Sequence, residues 1–282
     1  MERKIERTKI GTFIVVGMLV FLACGCANLS AIRDFADISS TIADNNSLTI
    51  EYVEWPLTQK RYFLSEQYKE LDNIANQRSQ QEKMLLLRHS IIEEYMKDLG
   101  QLASDDVINN DTEIDDLGNA SKEAKFINDK EQEACQSITK LLLKASTDGW
   151  RQAKLKKLVK ESNNNIQVII KGLVEIANEG FLGDVQDERE AIRKYYEGIL
   201  RDSNDPAGKA ALNEWRETRL DSLSKKEDAI KLYSLSLKKI AEGHQKLYEH
   251  VNLNKIYSKE FIKQLKVYTK DLQKSYKAII SM

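Results

Sequence analysis

The feature that most constrains this chain is a narrow apolar stripe, stepping by three and four residues, that recurs in one segment after another. It runs through Leu85, Arg88, Ile92, Tyr95, Leu99 and Leu102, and again through Leu155, Val159, Ser162, Ile166, Ile169, Leu173 and Ile176. It returns in Ile230, Tyr233, Leu237, Ile240, His244, Leu247 and Val251, and last in Phe261, Leu265, Tyr268, Leu272, Ser275 and Ile279. Alternation of three and four is the spacing of one helix face, and a stripe this narrow packs helix on helix at a shallow crossing. Only two prolines and twelve glycines interrupt 282 residues, of which 31% are charged. These observations predict an all-α fold, an elongated antiparallel helical bundle of about four to six long, coiled-coil-like helices, with hairpins free to project from it. Stripes left uncovered would also let two copies pair.

The order of the elements follows from the breakers. Ile32, Phe35, Ile38 and Ile42 predict a first helix between Ser30 and Glu54, interrupted near Asn45-Asn46. Trp55-Pro56 is expected to break or kink it, because proline disfavours helix at the residue before it. Leu57 to Ala103 reads as one very long helix, closed by the acidic, turn-rich run Ser104 to Asp116. That run lacks the spacing of a calcium loop and reads as a solvated connection, with Thr112 and Asp115 as a weak start signal. A helix is expected over Ala120 to Thr147, with Ile127, Ala134, Ile138, Leu141 and Ala145 on one face and a turn or weak point at Asp148-Gly149. The next passes through Asn163-Asn164-Asn165, which fall off its seam, and is interrupted at Gly180 and Gly183-Asp184. Val185 to Arg201 follows, carrying Ile192, Tyr195 and Ile199. Asp205-Pro206 is the clearest start signal in the chain, an Asp cap with proline at the first helical position. Asn252-Leu253-Asn254 separates the helix it opens from the last one.

The first 27 residues have a different character. Arg3, Lys4, Arg7 and Lys9 outweigh Glu2 and Glu6, and the apolar run Ile10 to Leu22 is short of the roughly 20 residues needed to cross a bilayer. A basic start, a short apolar middle and small residues at its end make a secretory signal peptide. Leu22-Ala23-Cys24-Gly25-Cys26 then resembles the lipobox of bacterial lipoproteins. The resemblance implies that Cys26, preceded by Gly25 and with Ala23 three before it, takes diacylglycerol and becomes the mature N-terminus. Cys24 is the alternative acceptor, although Phe21 three before it fits poorly. Several acyl chains hold a protein on a membrane where one does not. Ala27, rather than Asp, after the lipidated cysteine resembles an outer-membrane sorting signal and implies the periplasmic face of a Gram-negative outer membrane. The expected division is a signal peptide over residues 1–25, an anchor-proximal segment with the first helix over 26–56, and the bundle over 57–282.

Removing the signal takes the net charge from −1 to about −3, without the basic field that nucleic-acid binding needs. Cys135 is then the sole thiol outside the lipobox, so no internal disulfide is expected, and a buried inert role fits it best. His89, His244 and His250 lack the Glu-x-x-His pattern of di-iron bundles, and no metal or cofactor is expected. No phosphate loop, His-Glu-x-x-His or Gly-x-Ser-x-Gly motif is present. The adjacent acids Glu93-Glu94 and Asp105-Asp106 diverge in direction. A tyrosine-rich surface around Tyr195-Tyr196, or the set Tyr248, Tyr257, Tyr268 and Tyr276, fits helix-interface filling or a partner contact. Trp55 is placed to mark a bend near the anchor.

These features predict a lipid-anchored, non-enzymatic envelope protein that works as a scaffold, accessory or blocking subunit, through a protein partner or self-association. The competing expectation is a ligand-binding or sensor lipoprotein with an inter-helix pocket lined by the polar seam residues Arg88, Ser162, His244 and Ser275. A hydrolase of envelope polymers would need distant carboxylates to converge in a cleft.

Overall fold

The computed structural model describes residues 29–63, 65–104, 111–123, 128–145 and 151–281, and these are helical nearly throughout, with no strand among them. The signal peptide, the lipobox cysteines Cys24 and Cys26, Ile127 and Asp148-Gly149 lie outside the described residues. The helices are α1 (residues 29–44), α2 (Ser47–Gln59), α3 (Tyr68–Ser104), α4 (Asp111–Glu123), α5 (Asp129–Ala145), α6 (Arg151–Glu175), α7 (Leu182–Asp202), α8 (Pro206–Asn252) and α9 (Lys259–Ile280). Short 3-10 turns at Lys60–Tyr62 and Ser65–Gln67 join α2 to α3. The all-α bundle expected from the stripes is present, with more helices than the four to six anticipated; α1 and α2 are separate, and the stretch after α3 folds as both α4 and α5.

The stripes are the core. Every seam residue of α3 and α8 named above is buried, as are Leu155, Val159, Ser162, Ile166, Ile169 and Leu173 of α6. Residues from Leu29 to Leu272 join one apolar cluster, so α1 and α2 share the core of the long helices. Side-chain pairs fix the arrangement. Asn163 meets Gln245, Gln167 meets the Ala241 carbonyl and Arg189 meets Glu227, so the 47-residue α8 lies antiparallel along α6 and α7 in succession. Tyr95 meets both Ser162 and His244, and His89 stacks on Tyr233, which sets α3 antiparallel to α6 and parallel to α8. Lys239 with Asp271 and His250 with Phe261 set α9 antiparallel on α8.

Most boundaries follow local chemistry. Asp205 caps α8 by accepting from the amides of Ala207 and Gly208, and Ser258 caps α9 by accepting from Phe261. Asn45-Asn46 divides α1 from α2 as expected. Four readings are corrected. Pro56 lies inside α2 instead of ending it, so the long helix starts at Tyr68 and not at Leu57. A proline frees the carbonyl four residues before it, and here Arg78 donates to that carbonyl, Tyr52 O, at 2.9 Å. The acidic run is not all loop, since α4 begins within it at Asp111, and the expected helix from Ala120 to Thr147 is split between α4 and α5. Asn163 does not fall off the seam but is buried and hydrogen-bonded to α8. Gly180 and Gly183 do not interrupt the rod. The chain passes from α6 to α7 through a π-helical turn at Ile176–Phe181, where the Tyr52 ring presses on Gly180 at 2.9 Å from where a Cβ would stand.

A second close approach gives a test of the packing. A Cβ on Gly243 would stand 2.5 Å from the fully buried Phe35 ring, which docks α1 on α8. Gly243→Ala is expected to lower stability by about 1–2 kcal/mol despite alanine's better helix propensity. Gly198→Ala, where a Cβ meets nothing within 4 Å, should instead raise it by roughly 0.5–1 kcal/mol. Urea unfolding of the two variants checks the pair.

Candidate functional site

The polar seam residues Arg88, Ser162, His244 and Ser275 are all buried in the bundle. Arg88 pairs with Glu131 inside the bundle, against Gly172. His244, fully buried, is bonded on both ring nitrogens: Nε2 to Tyr95 Oη at 2.6 Å and Nδ1 to Asn163 Oδ1 at 2.9 Å, with Ser162 donating to the tyrosine at 2.8 Å. The chain Ser162, Tyr95, His244, Asn163 closes with a neutral ring, and burial lowers the imidazole to about 3. His89 is held likewise, Nε2 to Thr49 Oγ1 at 2.8 Å and Nδ1 to the Ala43 carbonyl at 3.0 Å, and burial lowers it to about 4. Ser275 is buried on the α8 side of α9. Cys135 is buried and its thiol is pushed up to about 12 by that burial, so it has little thiolate at neutral pH. Among the described residues no group of three or more His, Cys, Asp or Glu is placed to hold a metal ion.

A concave surface lies elsewhere, at the end of α2. Arg78 of α3 organises its floor. It covers the Tyr52 ring at 4.0 Å, donates to Tyr52 O, and grips Asp184 with both terminal nitrogens, one at 2.9 Å. Gln59 donates to the Asp184 carbonyl at 2.9 Å. Trp55 and Tyr52 meet Phe181 edge-on at 5.1 and 6.0 Å, clamping the π-helical turn. Trp55 is a buried packing residue. Turns of this kind recur at functional sites because they re-aim the residues that follow. Here they bring Asp184, Asp187, Glu190 and Ala191 of α7 opposite Glu70, Leu71 and Ile74 of α3 and Gln67 of the turn before it.

The groove between them has a volume of about 580 Å³. Leu71, Ile74 and Ala191 supply apolar surface, Tyr62, Phe63 and Tyr195 aromatic surface, and Lys194 the lining cation. Glu70, Asp187 and Glu190 are exposed and make no ion pair among the described residues. Burial raises the Asp184 carboxyl and Arg78 opposes the rise. Carboxylates from distant parts of the chain do converge here, but the half-buried one is committed to an arginine and the others face water. The arrangement suits an organic cation with an apolar body: carboxylates for its charge, aromatic faces for cation–π contact, and an apolar floor.

Above the groove α7 and the start of α8 leave the bundle as a two-helix arm. Ile192 and Leu223 are buried and no residue of 193–222 is, so these helices touch little but each other. Tyr62, Tyr195 and Tyr196 form an edge-on cluster at the arm's root, with ring centroids 5.8 and 5.4 Å apart. Beside it Arg219 holds the fully buried Glu188 at 2.6 Å. Trp215 stands 61% exposed on the arm. Tyr195 was legible as a contact residue from its pairing with Tyr196. Glu70, Arg78, Asp184, Asp187, Glu190 and Trp215 were not, because nothing in their local spacing reveals that α3 and α7 face each other. No protein-family profile, curated protein or solved structure matches the chain.

Proposed function

We propose that the chain is a lipid-anchored, non-enzymatic helical protein of the cell envelope, tethered through Cys26 to the periplasmic face of the outer membrane. It works as a scaffold, accessory or blocking subunit that holds a protein partner against the α7–α8 arm and the groove at its root. The observation that carries this reading is the arm itself: a helical hairpin with no fully buried residue from 193 to 222, touching the core only through Tyr196 and Leu220, that shows a bare tryptophan and stands over an aromatic groove whose exposed carboxylates make no ion pair among the described residues. Large exposed aromatics of this kind anchor protein interfaces. Its placement supports the reading too. α1 packs on α8 at Gly243, so the arm's turn at Ser203–Asp205 is about 55 Å further along α8, away from the end where the chain enters. No described helix is long and apolar enough to cross a membrane, so a tether before residue 29 would carry the attachment.

Photo-crosslinking residues at positions 195 and 215 of the cell-expressed protein test the proposal, with position 273 on α9 as the control. One discrete envelope protein captured from 195 and 215, and absent from 273, is the expected result, and capture of further copies of this chain alone would overturn it. With an aromatic photo-probe standing in for the tryptophan at 215, Trp215→Ala should lower capture from position 195 at least tenfold while moving the urea midpoint by less than about 0.5 kcal/mol equivalent, as for a surface change. The groove's volume also favours a second reading, a small organic cation bound by a sensor lipoprotein. That reading predicts ligand-dependent shielding of Glu70, Asp187 and Glu190 with Trp215→Ala unaffected.

A further inference from the structure

The outer face of α9 is unlike the rest of the surface. Lys259, Lys263, Lys266, Lys270, Lys274 and Lys277 are all exposed, while Phe261, Leu265, Thr269, Leu272 and Ser275 turn inward on α8. At 100° per residue the six lysines fall within roughly 80° of arc and extend over about 27 Å. None makes an ion pair among the described residues, and Asp271, which borders the stripe, is taken by Lys239 of α8. Along the two edges of the stripe sit the half-buried Ile262 and the 54% exposed Val267. α9 carries these six lysines against only Glu260 and Asp271, while the whole chain totals −1, so the balancing acid lies elsewhere in the sequence.

We infer that this face of α9 lies on the anionic headgroups of a phospholipid bilayer and sets the orientation of the bundle on the membrane. A straight row of lysines presents compact, hydrated charges that suit a diffuse phosphate layer, whereas paired recognition of individual phosphates favours the fork of arginine. Val267 and Ile262 are small enough to enter the headgroup zone without demanding deep insertion. α9 also begins at the end of α8 near which α1 enters the bundle, so a tether before residue 29 brings the first lysines close to the bilayer. The choice of a bilayer over another polyanion rests on the anchored reading above; the stripe itself does not.

The test uses the wild-type, full-length protein reconstituted in vesicles of phosphatidylcholine alone and of phosphatidylcholine with phosphatidylglycerol. Flotation on the neutral vesicles in high salt reads the lipid anchor. Residue-resolved lysine acylation, read by mass spectrometry, reads the face. Each lysine near an anionic surface contributes about fivefold in binding, so acylation of Lys263, Lys266 and Lys270 should slow at least fivefold on anionic vesicles and recover in high salt. Lys209 on the arm should not change. In a Lys259→Gln/Lys263→Gln/Lys266→Gln/Lys270→Gln variant, whose changes are all exposed, the protection of Lys274 and Lys277 should disappear. Equal acylation on both vesicles overturns the inference, as does protection by soluble polyglutamate without protection by anionic vesicles, which would assign the face to an acidic protein. Failure to float on neutral vesicles overturns the anchor separately, since the footprint is still read on protein bound to anionic ones.

Discussion

Glu131→Ala is expected to destabilise the protein by about 3–5 kcal/mol, because it strands a buried arginine without its counter-charge. Glu131 reaches from α5 to Arg88 on the α3 seam, and the side chains are 11% and 5% exposed. Burial lowers the Arg88 guanidinium from its ordinary value and Glu131 acts against that fall. Removing the carboxylate leaves a buried, permanently charged group whose Nε has no hydrogen-bond partner among the described residues. The pair also has no room to rearrange, because a Cβ on Gly172 would collide with the Glu131 carboxylate and stand 3.2 Å from Arg88. Glu131→Gln should cost less than alanine, since it keeps the shape and one hydrogen bond while losing the charge. The double change Arg88→Met/Glu131→Leu should recover most of the loss, because an apolar pair of similar volume removes both desolvation penalties. Urea unfolding at neutral pH separates the three. A loss below about 1 kcal/mol for Glu131→Ala would mean that water reaches Arg88 in solution.

The same pair shows what was legible in the sequence. The α3 stripe placed Arg88 on a buried face, because periodicity reports which side of a helix turns inward. It does not identify Glu131, which lies 43 positions away on a helix that starts at Asp129 and not at Ala120. The fold class was accessible for the same reason: each of the long stripes is a local pattern, and so are the Asp205 and Ser258 caps. The failures concern long-range compensation. Pro56 reads locally as a helix end and remains helical because Arg78, 26 residues from Tyr52, supplies the missing donor. Gly180 and Gly183 read as breaks, and instead the rod takes a π-helical turn shaped by the ring of Tyr52. The groove inherits this limit, being made from faces of α3 and α7 more than 100 residues apart. Its residues look like ordinary solvated charges until Asp184 and Arg78 join the two helices.

Acid should unfold this bundle through its two core histidines, and the direction follows from how they are held. His89 and His244 are buried neutral, lowered to about 4 and about 3, while an unfolded chain titrates them near 6.5. Between those values the unfolded state binds a proton that the folded state refuses, so stability is full above the unfolded pKa and falls as the pH drops through the window. Each ring contributes about 2 kcal/mol of loss between pH 7 and pH 5, or about 4 kcal/mol together, against a total stability typically of about 5–15 kcal/mol. Burial dominates at both rings; at His89 the Ala43 carbonyl opposes it without overturning it. His89 meets Thr49, the Ala43 carbonyl and Tyr233, with Arg88 opposing a charge and Asp44 favouring one. His244 meets Tyr95 and Asn163, both uncharged. The carboxyls of Asp37, Glu93 and Asp184 are raised by burial, have the opposite sign and offset part of the loss. Urea midpoints at pH 7 and pH 5 measure the total, and His244→Gln should roughly halve the pH slope whatever it does to stability at pH 7. A slope unchanged by that substitution would show that the ring takes up its proton inside the folded bundle, and that acid acts on the carboxylates instead.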